Sequence, residues 1–205
     1  MGVAECKLSM ANLEKLRAII MDKALKYSLD PAVVAGVLVR ETWAGAMPAF
    51  KHRAVDLKKA VAGFEFCAGV GDYRRGRYNG YGIAQMDIGS YAKWIETHNY
   101  CDPRQAIEME CQILADNRRS VRAVMPHVTD SELYKTACAG YNAGIARCRN
   151  RALQGRDPDG VTTGRNYGAD VLVNADWLHR EMGFVVTEAL GNTGAQQKEG
   201  EKDEG

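Results

Sequence analysis

The sequence predicts a mainly helical protein with one small irregular or hairpin segment, and three observations carry that prediction. Apolar residues recur at intervals of three and four along most of the chain. Asp-Pro and Thr-x-x-Glu start signals stand ahead of several of those stretches. Strand-like alternation is scarce, and glycines concentrate in one central segment. The 205 residues, 46% hydrophobic and 26% charged, suffice for one substantial core. A single domain over residues 1–190 is therefore expected, followed by an acidic tail over 191–205.

The elements follow in order. Leu13, Leu16, Ile20, Ala24 and Tyr27 mark an amphipathic helix of about four turns. Asp30-Pro31 opens a second, the aspartate as cap and the proline at the first helical position. Val33, Val34, Val37 and Leu38 give it an apolar face, and Gly45 is its expected end. Ala46 to Ser90 is less regular. Asp56 to Phe66 suits a short helix, while Gly69 to Gly82, with five glycines and three arginines, suits a surface loop or small hairpin. Asp102-Pro103-Arg104-Gln105 resembles a capping box and opens a helix through Ile107, Cys111 and Leu114. Thr129 to Glu132 is a further start signal, ahead of Leu133 to Ala139. A last helix carries Tyr167, Val171, Asn174, Leu178 and Met182 on one face. From Gly191 nothing remains to bury, which predicts disorder.

Charge and cysteine usage exclude several classes of function. The formal charge is +1; the last ten residues carry −2, leaving +3 on the body. That balance gives no nucleic-acid signature, and no nucleic-acid partner is expected. No stretch reaches the roughly 18 apolar residues of a membrane helix, so no membrane insertion is expected. The six cysteines form no CxxC pair and have no histidines at zinc spacing, so no metal is expected. Their even number permits three disulfides, which points to a secreted protein. Glu5, Lys7, Glu14 and Lys15 interrupt the N-terminus, which reads as a mature form without a signal peptide, or as a cytoplasmic protein.

Glu41 is the most informative single residue. It lies seven after Val34, four after Val37 and three after Leu38, on the apolar face of its helix. Desolvation there favours the protonated carboxyl, the state a general acid needs. The alternative is a helix-end glutamate pairing with Arg40 or Arg53. Downstream, Gly80-Tyr81-Gly82 permits close backbone approach to a ligand, with Gln85 and Asp87 beside it. Ala139 to Gly144 exposes Tyr141 and Asn142 among small residues at a helix end.

Taken in order, these segments resemble the goose-type lysozymes and the related soluble lytic transglycosylases. Arg40-Glu41-Thr42-Trp43-Ala44-Gly45 is similar to their catalytic-glutamate segment, and Gly80 to Asp87 to their Gly-aromatic-Gly-Leu-Met-Gln-x-Asp stretch. Tyr141-Asn142-Ala143-Gly144 matches their Tyr-Asn-Ala-Gly, and Thr162 to Val171 resembles the Asp-Tyr-Ala-x-Asp-Val start of their last helix. The resemblance spans about residues 12 to 184. It implies the mainly α, lysozyme-like fold, and cleavage of the β-1,4 bond between N-acetylmuramic acid and N-acetylglucosamine in peptidoglycan. Glu41 carries over as general acid. Asp87, and Asp72 if Tyr73 to Tyr78 holds an insertion, carry over as the aspartates that place the attacking water. Gln85, Tyr141, Asn142 and Tyr167 carry over as substrate-binding cleft residues, although Tyr167 also suits a core position on the Val171/Leu178 face.

The same resemblance implies a monomeric, secreted antimicrobial hydrolase that needs no cofactor and takes peptidoglycan or N-acetylglucosamine oligosaccharides. A chitin-cleaving enzyme, a lytic transglycosylase and a non-catalytic wall-binding protein are the alternatives. The chain departs from the family at Ala84, where a methionine is usual, and at Tyr91, where vertebrate members carry histidine. Its Glu41–Asp72 segment is also longer, and its cysteines do not reproduce the vertebrate framework. Cys111, on the Ile107/Leu114 face, suits a buried thiol. The basic run Tyr73 to Tyr78 suits contact with acidic wall polymers or simply a solvated loop.

Overall fold

The computed structural model describes residues 3–47, 69–70 and 80–185. Asp72, the candidate helix at Asp56 to Phe66, the basic run at Tyr73 to Tyr78 and the tail from Gly191 lie outside them. The described residues form seven α-helices, two 3-10 turns and a three-stranded antiparallel sheet. That is the mainly α architecture the sequence predicts, with the hairpin where the glycines cluster.

Helix α1 (Val3–Lys26) buries Leu13, Leu16, Ile20 and Ala24 completely. It begins ten residues earlier than the apolar stripe announces, because Cys6 and Ser9 continue the buried face. Helix α2 (Pro31–Thr42) starts where expected: Asp30 Oδ1 accepts the Ala32 N–H at 2.9 Å. Every residue from Pro31 to Val39 is buried, so α2 is the central rod of the molecule. It ends three residues before Gly45. Trp43 (φ 51°) and Ala44 (φ 49°) turn left-handed and return their N–H groups to Val39 and Leu38.

Strands β1 (Gly69–Val70), β2 (Gly80–Tyr81) and β3 (Met86–Asp87) pair in that order, with Val70 opposite Gly80 and Tyr81 opposite Met86. The β2–β3 connection closes through Gln85 N–H to Gly82 O at 3.1 Å. Helix α3 (Ile88–Thr97) follows at once, with a break in helical dihedrals at Tyr91.

Helix α4 (Pro103–Arg122) is capped by Asp102, which accepts from Arg104 N at 2.9 Å. Gln105 does not complete a capping box: its oxygen takes the Asn99 N–H at 3.0 Å instead. Helix α5 (Asp130–Ala143) does carry a full box between Thr129 and Glu132. Gly144 (φ 86°) turns the chain directly into α6 (Ile145–Leu153). The 3-10 turns Pro158–Val161 and Thr163–Arg165 lead to α7 (Tyr167–Met182). Tyr167, Val171, Asn174 and Leu178 are buried along it, as their spacing predicts.

The core is one continuous cluster drawn mainly from α1, α2, α4, α5 and α7. Helices α2 and α7 pack closely within it: a Cβ on Gly36 would lie 2.9 Å from the Val171 carbonyl oxygen. The absent side chain therefore sets the α2–α7 spacing, and with it the distance between Glu41 and Tyr167.

The three disulfides that the even cysteine count permits do not all form: Cys101 is disulfide-bonded, but four other cysteines are not. Cys6, Cys111, Cys138 and Cys148 are free and buried, each enclosed by helix packing. Burial pushes the Cys6 and Cys148 thiols up to about 11, so both are protonated at neutral pH. Among the described residues no helix is long and apolar enough to cross a membrane.

Candidate active site

Glu41 sits in the last turn of α2, one residue before the buried Thr42, whose hydroxyl donates to the Ile83 carbonyl at 2.9 Å. That bond ties the helix end to the hairpin turn. The left-handed pair Trp43–Ala44 then sends the chain away, leaving the Glu41 side chain at the junction of α2 and α7. Its Oε1 accepts a 2.5 Å hydrogen bond from the Tyr167 hydroxyl. Burial pushes the Glu41 carboxyl from its usual 4.5 to about 7, while the Tyr167 hydrogen bond and the Arg40 charge pull the other way. Desolvation wins, so a large share of Glu41 keeps its proton at neutral pH.

Arg40 does not pair with Glu41. Its Nε lies 3.4 Å from Asp170 Oδ2, and its guanidinium sits 5.2 Å from the centre of the Tyr167 ring. The first turn of α7 thus grips the last turn of α2 twice, through Tyr167 and through Asp170. Tyr167 is 1% exposed, so the core position and the site position are the same position. Burial holds its phenol well above its usual range, as a neutral donor.

A cavity of about 590 Å³ is lined by Asp87, Tyr91, Tyr141, Asn142, Arg147 and Thr163 among others, and Glu41 and Tyr167 are not among its lining residues. Asp87 is exposed there at the start of α3, and its Oδ2 accepts from Ser90 at 2.8 Å. Asn142 uses its side-chain oxygen to accept the Thr163 N–H at 2.9 Å, pinning the 3-10 turn to the end of α5. Tyr141 lines the cavity with its ring, but its hydroxyl is committed to the Ala84 carbonyl at 2.6 Å. The phenol that hydrogen-bonds the glutamate is therefore Tyr167.

Gln85 takes a different position from the free amide its sequence context suggests. It adopts φ 51°, and its Nε2 donates to Gly82 O at 2.8 Å, so half of the amide closes its own turn. The structure thus joins Glu41 with Tyr167 through a hydrogen bond, and Asp87 with Tyr141 and Asn142 around the cavity, which Gln85 does not line.

Sequence reasoning passed over one further carboxyl. Glu110 of α4 is completely buried, and neither carboxyl oxygen has a hydrogen-bond partner among the described residues. Burial, reinforced by the Glu41 charge, pushes it well above the carboxylate range, so it is a neutral acid. The signal was present: Glu110 lies three after Ile107 and four before Leu114, the same face argument that singles out Glu41. Arg147 was also missed, because it is one of three arginines within five residues, with Arg149 and Arg151, and charge alone does not single it out.

Known proteins share this chain over most of its length. Lysozyme g of Epinephelus coioides is 26% identical over 174 residues, 84% of this chain and 78% of that protein. Lysozyme g of Cyprinus carpio is 28% identical over 178 residues, covering 85% and 78% of the two chains. Lysozyme g of Struthio camelus is 26% identical over 175 residues, covering 85% and 71%. No protein-family model matches the chain.

Proposed function

The chain belongs to the goose-type lysozyme family, and from that premise we propose that it hydrolyses the β-1,4 bond between N-acetylmuramic acid and N-acetylglucosamine with inversion. Glu41 is the general acid. The observation that carries this reading is the Glu41–Tyr167 pair: a half-buried, desolvated carboxyl held near pKa 7, with one oxygen already occupied by a donor. Oε1 accepts from Tyr167, so the transferable proton belongs on Oε2. That proton passes to the glycosidic oxygen as the bond to C1 breaks. The carboxylate left behind keeps the Tyr167 hydrogen bond and the nearby Arg40 charge.

Water attacks C1 from the opposite face and gives its proton to a carboxylate base. Inversion requires that base about 6.5–9.5 Å from the acid. Asp87, exposed on the cavity wall, is the described candidate, and Asp72 the second. Asn142 and Tyr141 are the sugar-binding residues on the cavity wall, where the Asn142 amide nitrogen can donate to an N-acetyl carbonyl. Gln85 shapes the neighbouring turn, and Tyr167 serves through Glu41. The enzyme acts as a monomer on peptidoglycan or N-acetylglucosamine oligomers, after secretion, without a cofactor.

The test is Glu41→Gln on purified peptidoglycan. Wall binding is expected to persist while turnover falls about 10²–10⁴-fold, the usual weight of a general acid. Parent-level activity in the variant overturns the assignment. Product analysis checks the chemistry separately: new reducing ends of inverted configuration support hydrolysis, and anhydromuramic ends reject it.

A further inference from the structure

We propose that Asp159, a buried carboxylate set back from the cleft, is a positioning residue for the proton donor: it fixes the start of α7 so that Tyr167 meets Glu41. The proposal rests on reading Glu41 as the general acid.

Helix α7 lacks a cap from its own flanking residue. The Asn166 side chain makes no capping bond, and its Nδ2 donates instead to Asp170 Oδ2 at 3.0 Å. The helix's first N–H groups are nevertheless satisfied, from the 3-10 turn that precedes it. Asp159 Oδ1 accepts the Gly168 N–H at 2.7 Å, and Oδ2 accepts the Ala169 N–H at 2.9 Å. A carboxylate there also complements the positive end of the helix dipole. Asp159 is 1% exposed, so solvent does not replace it.

Two further contacts turn this cap into a clamp. The Tyr167 N–H reaches the Thr162 hydroxyl at 3.4 Å, and that hydroxyl donates to the Asp159 carbonyl at 2.9 Å. On the other side, a Cβ on Gly168 would lie 2.4 Å from the Lys135 carbonyl oxygen, so the first turn of α7 is seated hard against α5. The Tyr167 backbone is therefore held from the 3-10 turn, from the next two peptide groups and from α5. Its phenol lies at the far end of the side chain. A tilt of roughly 10° in the first turn moves the hydroxyl by about 1 Å, enough to break a hydrogen bond of normal geometry.

Positioning and direct charge have opposite signs, which makes the proposal testable. Acting through space, the Asp159 charge would raise the Glu41 pKa, and removing it would move the alkaline limb of activity to lower pH. Acting through Tyr167, it preserves a hydrogen bond that lowers the Glu41 pKa. Loss of Asp159 then moves that limb to higher pH and also slows turnover.

The experiment compares the pH profile of kcat, and the NMR titration of the Glu41 carboxyl, for the parent and for D159N, T162V, Y167F and D159N/Y167F. D159N is expected to raise the alkaline limb by about one pH unit and to lower kcat about tenfold, the scale of misplacing a reacting group. Y167F is expected to do the same, and the double variant to match Y167F alone. T162V keeps the carboxylate and its two backbone bonds, so it tests the clamp even where D159N does not fold; a smaller shift in the same direction is expected. An unchanged or lowered limb in T162V or D159N overturns the proposal, as does full additivity of D159N with Y167F. Failure of the underlying reading is seen elsewhere, as an active Glu41→Gln protein.

Discussion

Replacing Glu41 by glutamine removes the proton donor and, by the same physics, stabilises the fold at neutral and alkaline pH. Burial raises the native carboxyl from 4.5 to about 7. Below pH 4.5 the native and unfolded chains both hold the proton, and this residue costs nothing. As pH rises through the interval, the unfolded chain ionises while the native one resists, so native stability falls until the native carboxyl also ionises. Each pH unit is worth about 1.4 kcal/mol, so the full rise corresponds to about 3 kcal/mol. Glutamine carries no such linkage, and its oxygen can still accept from Tyr167. Urea unfolding of both proteins at pH 4, 6 and 8 isolates the effect, because every other titrating group is common to the two. The stability of the variant minus that of the parent is expected to grow by about 3 kcal/mol between pH 4 and pH 8. A difference that stays flat across that range refutes the desolvated-acid argument, whatever its absolute size.

The remaining predictions concern neighbouring residues. Asp87→Asn should lower kcat on peptidoglycan about 10²-fold with little change in KM, as expected for loss of a general base, and azide should restore turnover as a glycosyl azide. Parent-like kinetics would leave Asp72 as the base. Glu110→Met replaces a buried acid that has no partner among the described residues, and should raise stability at pH 7 by about 1–3 kcal/mol in urea unfolding. Destabilisation would mean that Glu110 is better satisfied than its surroundings indicate. Gly36→Ala gains about 1 kcal/mol of helix propensity but drives a methyl to 2.9 Å from Val171 O. Overpacking of about 1–3 kcal/mol should win, lowering urea stability and separating α7 from α2.

What the sequence reveals about the fold depends on how locally each feature is determined. The starts of α2, α4 and α5 are legible because a cap bonds to residues two or three positions away. The start of α1 is not, since Cys6 and Ser9 are buried only by what α7 and the rest of the fold bring to them, as in the Cys6–Asn174 contact at 3.4 Å. Helix α6 buries Cys148 alone, so its amphipathic pattern rests on a single buried residue. At the site, the apolar face exposes Glu41 to sequence reasoning, and the family motifs add Asp87, Tyr141 and Asn142. The left-handed Gln85 and the Asp159 clamp are invisible, because each depends on a turn whose partners are fixed by tertiary contact.

That division also explains where the molecule violates local rules. Five described residues other than glycine have positive φ, and four of them flank the site: Trp43 and Ala44 after Glu41, Gln85 in the hairpin turn, and Arg165 two residues before Tyr167. Each costs roughly 1–2 kcal/mol in a left-handed conformation. The buried Glu110 and the half-buried, desolvated Glu41 add to that load. Against a typical total of about 5–15 kcal/mol, such a sum survives only if the surrounding frame is strong. The fully buried α2 and its close seat on α7 supply that frame. The helix that carries the acid is thus also the most deeply packed one, and the strain falls at its exit, where it aims Glu41 at Tyr167. On this argument Glu110→Met separates tolerance from use: if it raises stability and leaves turnover unchanged, the frame merely absorbs Glu110. If turnover falls as stability rises, the neutral acid behind Glu41 belongs to the site.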